Sequence, residues 1–111
     1  MSVASSGRDE VARLLELLDE AAALLERHGD VHWGAWLSRD AERIRAGDLY
    51  GVTHLLEAFG GMGSLGDVTF DPADHEASSE EEAREATLRL RALTGEAHWI
   101  ATALRREAEG S

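Results

Sequence analysis

The sequence contains no cysteine and only one proline, Pro72. Without thiols the chain has neither disulfides nor thiolate metal sites, and a reducing cytoplasm is its expected location. Its purely apolar runs are short, and residues 1–10 lack a basic stretch that leads into an apolar segment. We therefore expect neither a signal peptide nor a membrane span.

Lysine is absent as well, so all eleven basic residues are arginines; 22 acidic residues bring the formal net charge to -11. This charge repels nucleic-acid backbones and anionic membranes, which we exclude as partners. It attracts a basic protein instead. Solubility is the simpler explanation of an acidic surface, so charge alone leaves both interpretations open.

Apolar residues recur at spacings of three and four in four segments, which predicts four amphipathic helices. We expect the first helix to start at Ser5 or Ser6. The pairs Gly29-Asp30 and Gly47-Asp48 each combine a helix-ending glycine with a helix-starting aspartate. The predicted apolar stripes are Val11, Leu14, Leu15, Leu18, Ala22 and Leu25; Trp33, Trp36, Leu37, Ala41 and Ile44; Leu49, Val52, Leu55, Leu56 and Phe59; and Ala86, Leu90, Leu93, Ala97, Ile100 and Leu104.

The predicted fold class is all-α, a single helical domain spanning residues 1–111. It is a small four-helix bundle with a long ordered glycine-rich loop, residues 60–78, between helices 3 and 4. Residues 1–7 and 108–111 are expected to be frayed. The fourth stripe keeps its phase across Gly95, which favours one long helix, although a break near Gly95 stays open. The polar side of the second helix is expected to face solvent with Arg39, Asp40, Glu42, Arg43 and Arg45.

The glycine-rich loop contains the candidate binding residues. Four of the eleven glycines fall between Gly60 and Gly66, and apolar residues are interleaved with them. One interpretation is a structural lid over the end of the bundle. The other is a nest of backbone amides that binds an anion or a peptide carboxylate. The candidate residues are Gly60, Gly61, Met62, Gly63, Ser64, Asp67 and Asp71.

Neither a metal site nor a catalytic site is predicted, and no cofactor is expected. His28 and His32 are four residues apart, but Gly29 interrupts the helix between them. His75 lies among Asp71, Asp74 and Glu76 without a spacing that defines ligand geometry. No serine or cysteine nucleophile is placed beside a histidine by a recognisable motif. We therefore expect that the protein is not an enzyme.

The three tryptophans have two expected roles. Trp33 and Trp36 lie one turn apart on the second helix, so both are expected to face the core. An exposed tryptophan would instead anchor a partner, because tryptophan is enriched in binding hot spots. His98 and Trp99 flank the apolar stripe of the last helix and are expected to pack at its rim.

The run Phe-Gly-Gly-Met-Gly-Ser-Leu-Gly-Asp at residues 59–67 resembles an uncharacterised family of small bacterial proteins. Members of that family share Gly-Gly-Met-Gly-Ser, then an aromatic or aliphatic residue, then Asn-Asp. The chain departs from this motif at Gly66, where asparagine is expected. The resemblance covers residues 10–70 and implies a shared fold. Some similar acidic bacterial proteins are immunity partners of toxins, which favours a binding role.

The leading hypothesis is a non-enzymatic, acidic protein-binding domain that engages a basic partner as an immunity or antitoxin-like protein. The first alternative is a small-molecule or anion-binding module that uses the glycine-rich loop, with Met62, Phe70 and one tryptophan lining a pocket. The second alternative is a homo-oligomeric structural module, in which Leu17 and Leu24 form a self-interface on the first helix.

Overall fold

The computed structural model describes residues 3–48, 50–60, 65, 68–70 and 80–110. These residues form four helices and no strand: α1 (Val3–Arg27), α2 (Val31–Arg45), α3 (Tyr50–Glu57) and α4 (Glu80–Gly110). The all-α fold class is therefore confirmed. Helix α1 packs against α2 and α4, and α3 packs against the same two helices, so the four helices enclose one core.

The predicted turns between the first three helices form as local sequence dictates. Gly29 and Gly47 adopt φ angles of +83° and +86°, in the left-handed region that suits glycine. The Asp30 side chain accepts a hydrogen bond from the Trp33 amide at 3.1 Å, which caps α2. The Asp48 carboxylate accepts one from the Tyr50 amide at 3.0 Å, where α3 begins. Both predicted glycine–aspartate pairs are confirmed.

Two helix boundaries differ from those predicted. Helix α1 begins at Val3, before the expected cap at Ser5 or Ser6, so its helical backbone includes residues for which we expected fraying. Helix α4 continues past Gly95 to Gly110 and likewise includes the expected frayed end. A physical reason for the longer α4 is its polar, helix-favouring end, where Arg105 and Glu109 form an i,i+4 ion pair at 3.8 Å.

Leucine side chains dominate the core, together with alanines where helices approach closely. The buried apolar residues that form one cluster are Leu14, Leu17, Leu18, Ala21, Ala22, Leu25, Leu37, Ala41, Ile44, Val52, Leu55, Ala58, Leu65, Leu90, Leu93, Ala97, Ile100 and Ala101. Leu17 belongs to this cluster, and Leu24 packs against it. The core therefore occupies Leu17, which is unavailable for the expected self-interface, whereas Leu24 stays partly exposed.

Three residues that follow α3 reach the bundle. The Leu65 amide donates to the Ala58 carbonyl at 2.8 Å, and its side chain is buried. Val68 and Phe70 pack against the core as partly buried residues. The Phe70 amide donates to Thr87 Oγ1 at 2.9 Å, which ties this part of the chain to α4. These apolar residues contact the bundle as the interleaved pattern predicted.

Candidate functional site: a buried aspartate beneath an aromatic ridge

A buried acidic residue joins α2 to α3. The side chain of Asp40 is fully buried, and its Oδ1 lies 2.6 Å from Nδ1 of His54. The imidazole is 23% exposed, so its ring reaches the protein surface while Nδ1 faces inward. At this separation a proton lies between the two atoms. The prediction that Asp40 faces solvent is wrong, because Asp40 shares the inner face of α2 with Leu37, Ala41 and Ile44.

Gly51 allows the two helices to come close enough for this contact. A Cβ atom at Gly51 would lie 2.9 Å from Cβ of Arg43 and 3.0 Å from Cγ1 of Ile44. It would also lie 3.1 Å from the Asp40 carbonyl oxygen. Gly51 therefore lies directly on the backbone of α2, one turn of α3 before His54. A larger residue at this position would push the imidazole away from Asp40.

Burial dominates the electrostatics of the pair. Removal from water raises the pKa of Asp40, and the nearby Glu57 raises it further. The hydrogen bond and charge of His54, with the charge of Arg43, oppose this effect but do not overcome it. The second carboxylate oxygen, Oδ2, is buried and has no hydrogen-bond partner among the residues that the structure describes. A buried carboxylate with one oxygen that lacks a hydrogen bond destabilises a fold. The cost at Asp40 therefore needs an explanation, such as a role in function.

An aromatic surface covers the pair. We call it the aromatic ridge, and it consists of His32, Trp33, Trp36, Tyr50 and His54. Trp36 stacks on His54 with ring centroids 4.3 Å apart and an interplanar angle of 15°. Trp33 lies 5.2 Å from Trp36, and Tyr50 lies 6.3 Å from His54. His32 extends the ridge edge-on to Trp33 at 4.8 Å.

The ridge is partly open to solvent. Tyr50 is 58% exposed and His32 is also exposed, whereas Trp33, Trp36 and His54 are half-buried against the core. The expectation that both tryptophans face the core is therefore only partly met. The indole Nε1 of Trp36 is buried, and no group in the described part of the chain forms a hydrogen bond with it. Large aromatic surfaces with a polar edge are typical of binding sites.

The Asp40–His54 pair has one feature in common with catalytic sites. A carboxylate on one imidazole nitrogen fixes the tautomer and orientation of a histidine, as in many catalytic sites. A nucleophilic site also needs a hydroxyl or thiol on the other nitrogen. Within the described part of the chain, no hydroxyl group hydrogen-bonds to His54. Over the same residues, no group of three or more histidine, aspartate or glutamate side chains could hold a metal ion.

Gly60 is the one predicted site residue that lies within the described part of the chain. Gly60 follows α3, is exposed, and donates its amide to the Glu57 carbonyl at 3.2 Å. The other candidates lie outside the described residues: Gly61, Met62, Gly63, Ser64, Asp67 and Asp71. His75, Asp74 and Glu76 lie outside them as well. The predicted loop site thus stays a prediction.

An open cleft lies beside one end of the ridge. It has a volume of about 510 Å³ and is lined by His28, Gly29, Asp30, Val31, His32, Thr69 and Phe70. His28 stacks on Phe70 with centroids 4.4 Å apart, which connects the α1–α2 turn to the chain that follows α3. Phe70 was expected to line a pocket, but histidines take the place of the expected tryptophan.

Asp40 and His54 are the site residues that sequence reasoning missed. The signal for Asp40 was available, because it lies three residues after Leu37 and four before Ile44, in phase with the apolar stripe. An acidic residue in that phase indicates a buried polar partner. His54 lies next to Leu55 in α3, and no local feature of the sequence joins it to Asp40.

Comparison with known proteins adds one match. Residues 26–78 match the model of a domain of unknown function (DUF6966). The match covers a little less than half of the chain, and it includes Asp40, Gly51 and the whole aromatic ridge. It agrees with the resemblance to an uncharacterised family. No curated protein and no solved structure matches the chain. No helix in the described part of the chain is both long and apolar enough to cross a membrane.

Proposed function

We propose that the protein is a non-enzymatic binding domain that engages a basic protein through its aromatic ridge. The observation that supports this best is the ridge itself, held in place by the buried Asp40–His54 pair. Trp36 is stacked on the anchored His54, and Tyr50 projects beside them. Such anchored aromatic side chains bind a partner without a large loss of side-chain entropy.

The charge of the chain supports a basic partner. With a net charge of -11, the protein attracts a positively charged surface over distances limited by the salt concentration. Arginine and lysine side chains also interact favourably with tryptophan and tyrosine rings. Within the protein the guanidinium of Arg43 already lies 5.8 Å from the centre of the Tyr50 ring. A partner's arginine would find the same chemistry on the outer side of the ridge.

The specific form of this proposal is an immunity or antitoxin-like protein of the bacterial cytoplasm, which neutralises a basic toxin. In this form the glycine-rich segment 60–78 is an ordered lid that adds to the binding surface. The contacts of Leu65 and Phe70 with the bundle support that part of the proposal. A toxin-like reading frame next to the gene would identify the partner to test.

The test compares two exposed aromatic residues on different helices. Tyr50 belongs to the ridge, whereas Trp99 lies on α4 and is 76% exposed. The wild type, Tyr50→Ala and Trp99→Ala are each used to capture partners from the native host at low and high salt. The captured protein is then identified, and its affinity for each variant is measured by calorimetry.

We expect the wild type and Trp99→Ala to capture the same basic protein at low salt. Tyr50→Ala should bind it at least tenfold more weakly, the loss typical of a hot-spot residue. High salt should weaken capture by all three proteins. Capture of nothing at either salt concentration, or equal binding by Tyr50→Ala and the wild type, would contradict the proposal.

A second candidate function is supported by the cleft of about 510 Å³ between His28, His32 and Phe70. Its size and its mixture of aromatic and polar groups suit a small ligand. The pocket that was expected at the glycine-rich loop stays a separate prediction, because most of its residues lie outside the described part of the chain. A thermal-shift screen of small anions and metabolites, with His32→Ala as the control, distinguishes this second candidate from the leading proposal.

A further inference from the structure

Helix α4 has an exposed face that its contacts within the chain do not use. The core residues Leu90, Leu93 and Ala97 occupy the inner side of the helix. The opposite side has an exposed row at spacings of three, four and seven residues, which we call the outer face of α4. The outer face consists of Glu81, Leu88, Ala92, Gly95, Trp99 and Arg106. Leu88 is 58% and Trp99 76% exposed, so this row is apolar in its middle.

Gly95 is the unexplained residue of this face. Glycine inside a helix costs about 1 kcal/mol relative to alanine. At Gly34 and Gly51 the absence of a side chain allows another helix to pack closely, which offsets that cost. A Cβ at either position would lie 2.9 Å from a neighbouring atom. A Cβ at Gly95 would have no atom within 4 Å. The glycines at 34 and 51 thus lie at close helix contacts within the chain, whereas Gly95 faces open space.

The outer face is complementary to itself when two copies run in opposite directions. Leu88 and Trp99 are equally far from the point between residues 93 and 94, and so are Ala92 and Gly95. A two-fold axis through that point brings Leu88 of one copy against Trp99 of the other. The small residues Ala92 and Gly95 then face each other at the centre, where the two helices approach most closely.

A shallow cleft next to Trp99 has a suitable shape for this contact. It has a volume of about 250 Å³ and is lined by His98, Trp99, Thr102, Ala103 and Arg106. In the antiparallel arrangement, Leu88 of the partner subunit lies beside Trp99 and fills this space. The same contact occurs twice because the interface is symmetric.

The charges of α4 favour this orientation. Helix α4 begins with Glu80, Glu81 and Glu82, whereas Arg105 and Arg106 lie near its other end. An antiparallel pair therefore places Glu81 of one copy against Arg106 of the other, and a parallel pair would place like charges together. Residues 83–106 contain five arginines and two glutamates, although the whole chain has a charge of -11. With the glutamates at its two ends, the whole of α4 contains seven glutamates and five arginines, so it is less acidic than the chain as a whole.

We propose that the protein forms a two-fold symmetric dimer through the outer face of α4, with the two helices antiparallel. The outer face of α4 contains no residue of the aromatic ridge. A contact made by one helix from each copy is small for a stable dimer. We therefore expect dissociation in the micromolar range.

The first test is the sedimentation behaviour of the full chain over a wide concentration range. The wild type should pass from monomer to dimer as its concentration rises. Gly95→Gln places a long side chain at the close contact and should keep the protein monomeric at every concentration. The same variant should unfold at a higher temperature than the wild type measured as a monomer, because glutamine favours helix and space is open there.

Glu107→Gln is the matched control, because it introduces the same residue on α4 away from the outer face. It should dimerise like the wild type. Trp99→Ala should weaken dimerisation at least tenfold without loss of helicity. A wild type that is monomeric at all concentrations, or dimers of Gly95→Gln as stable as those of the wild type, would overturn the proposal.

The second test determines the orientation with engineered thiols, which is simple because the chain has no cysteine. Leu88→Cys and Trp99→Cys are prepared separately, then mixed and oxidised mildly. The mixture should form a disulfide between the two variants. Leu88→Cys alone should not, because its two copies would lie about 16 Å apart along the helices. Efficient cross-linking of Leu88→Cys with itself, or no cross-linking in the mixture, would contradict the antiparallel arrangement.

Discussion

Helix α4 is joined to α1, and α3 is joined to α2, by different kinds of interaction. Between α1 and α4, the leucine core is flanked by exposed ion pairs: Arg13 contacts Glu96 at 2.7 Å, and Arg89 contacts Glu20. Between α2 and α3, the link is a buried polar pair, Asp40 and His54, beneath stacked aromatic rings. The charged side chains between α1 and α4 stay exposed to water, whereas the contact between α2 and α3 buries the side chain of Asp40.

The energetic consequences of these two designs differ. An exposed ion pair contributes little, because each partner is well solvated when the other is removed. The Arg13 guanidinium lowers the pKa of Glu96 chiefly through its hydrogen bond, but both groups stay in contact with solvent. A buried acid that loses its partner has neither a hydrogen bond from the protein nor contact with water. The α2–α3 contact is therefore the more vulnerable one, and it lies beneath the proposed binding surface.

The largest effect is expected from removal of His54. His54→Ala should lower the free energy of unfolding by about 3 kcal/mol, because it leaves the buried Asp40 without its hydrogen bond. The measurement is urea denaturation followed by circular dichroism. Arg13→Ala, which breaks the exposed pair between α1 and α4, is the matched comparison and should change the stability very little.

The double variant Asp40→Asn with His54→Ala separates two contributions to the loss of stability. One is the lost packing of the His54 side chain, and the other is the cost of a buried acid without a partner. It should be more stable than His54→Ala alone, since the amide carries no charge. If His54→Ala and Arg13→Ala have equally small effects, the two helix pairs do not differ in the way described.

A second prediction uses the same substitution at two glycines. Gly51→Ala should destabilise the protein by about 2 kcal/mol, because the new methyl group has no room against Arg43 and Ile44. Gly95→Ala should stabilise the monomer by about 1 kcal/mol, because its methyl group extends into open space. Thermal unfolding of both variants at low concentration measures the difference. Effects of the same sign would contradict the surroundings described for one of the two glycines, crowded at Gly51 or open at Gly95.

The smallest expected effect is a pH dependence. Burial raises the pKa of Asp40 in the folded state above its unfolded value of about 3.9. The folded state therefore binds this proton more tightly than the unfolded state. The resulting stability is fully present below the unfolded pKa and is lost as pH rises through the folded pKa.

Asp40→Asn removes this titration. The free energy of unfolding of the wild type, minus that of Asp40→Asn, should therefore fall as pH rises from about 4 toward neutrality. Urea denaturation at a series of pH values measures this difference. A difference that is flat, or that rises with pH, would mean that Asp40 is not the buried acid that the structure indicates.

Much of the fold could be predicted from local patterns. Repeated apolar spacing predicted α1, α2, α3 and α4, and the stripe through Leu90 and Leu93 correctly continued across Gly95. The candidate site could not be predicted in the same way. Asp40 was assigned to solvent because its charge outweighed its position in the stripe. The contact with His54 joins residues on separate helices, so no spacing within either helix predicts it.

By itself, the sequence determined where the helices of this protein turn. A glycine with positive φ followed by a capping aspartate acts within a few residues, as at Gly29-Asp30, and needs no distant partner. The tertiary structure alone decided that Asp40 is buried and that Gly51 lies on its backbone. The physical reason is that the cost of burying an acid depends on what surrounds it, and those groups come from another helix.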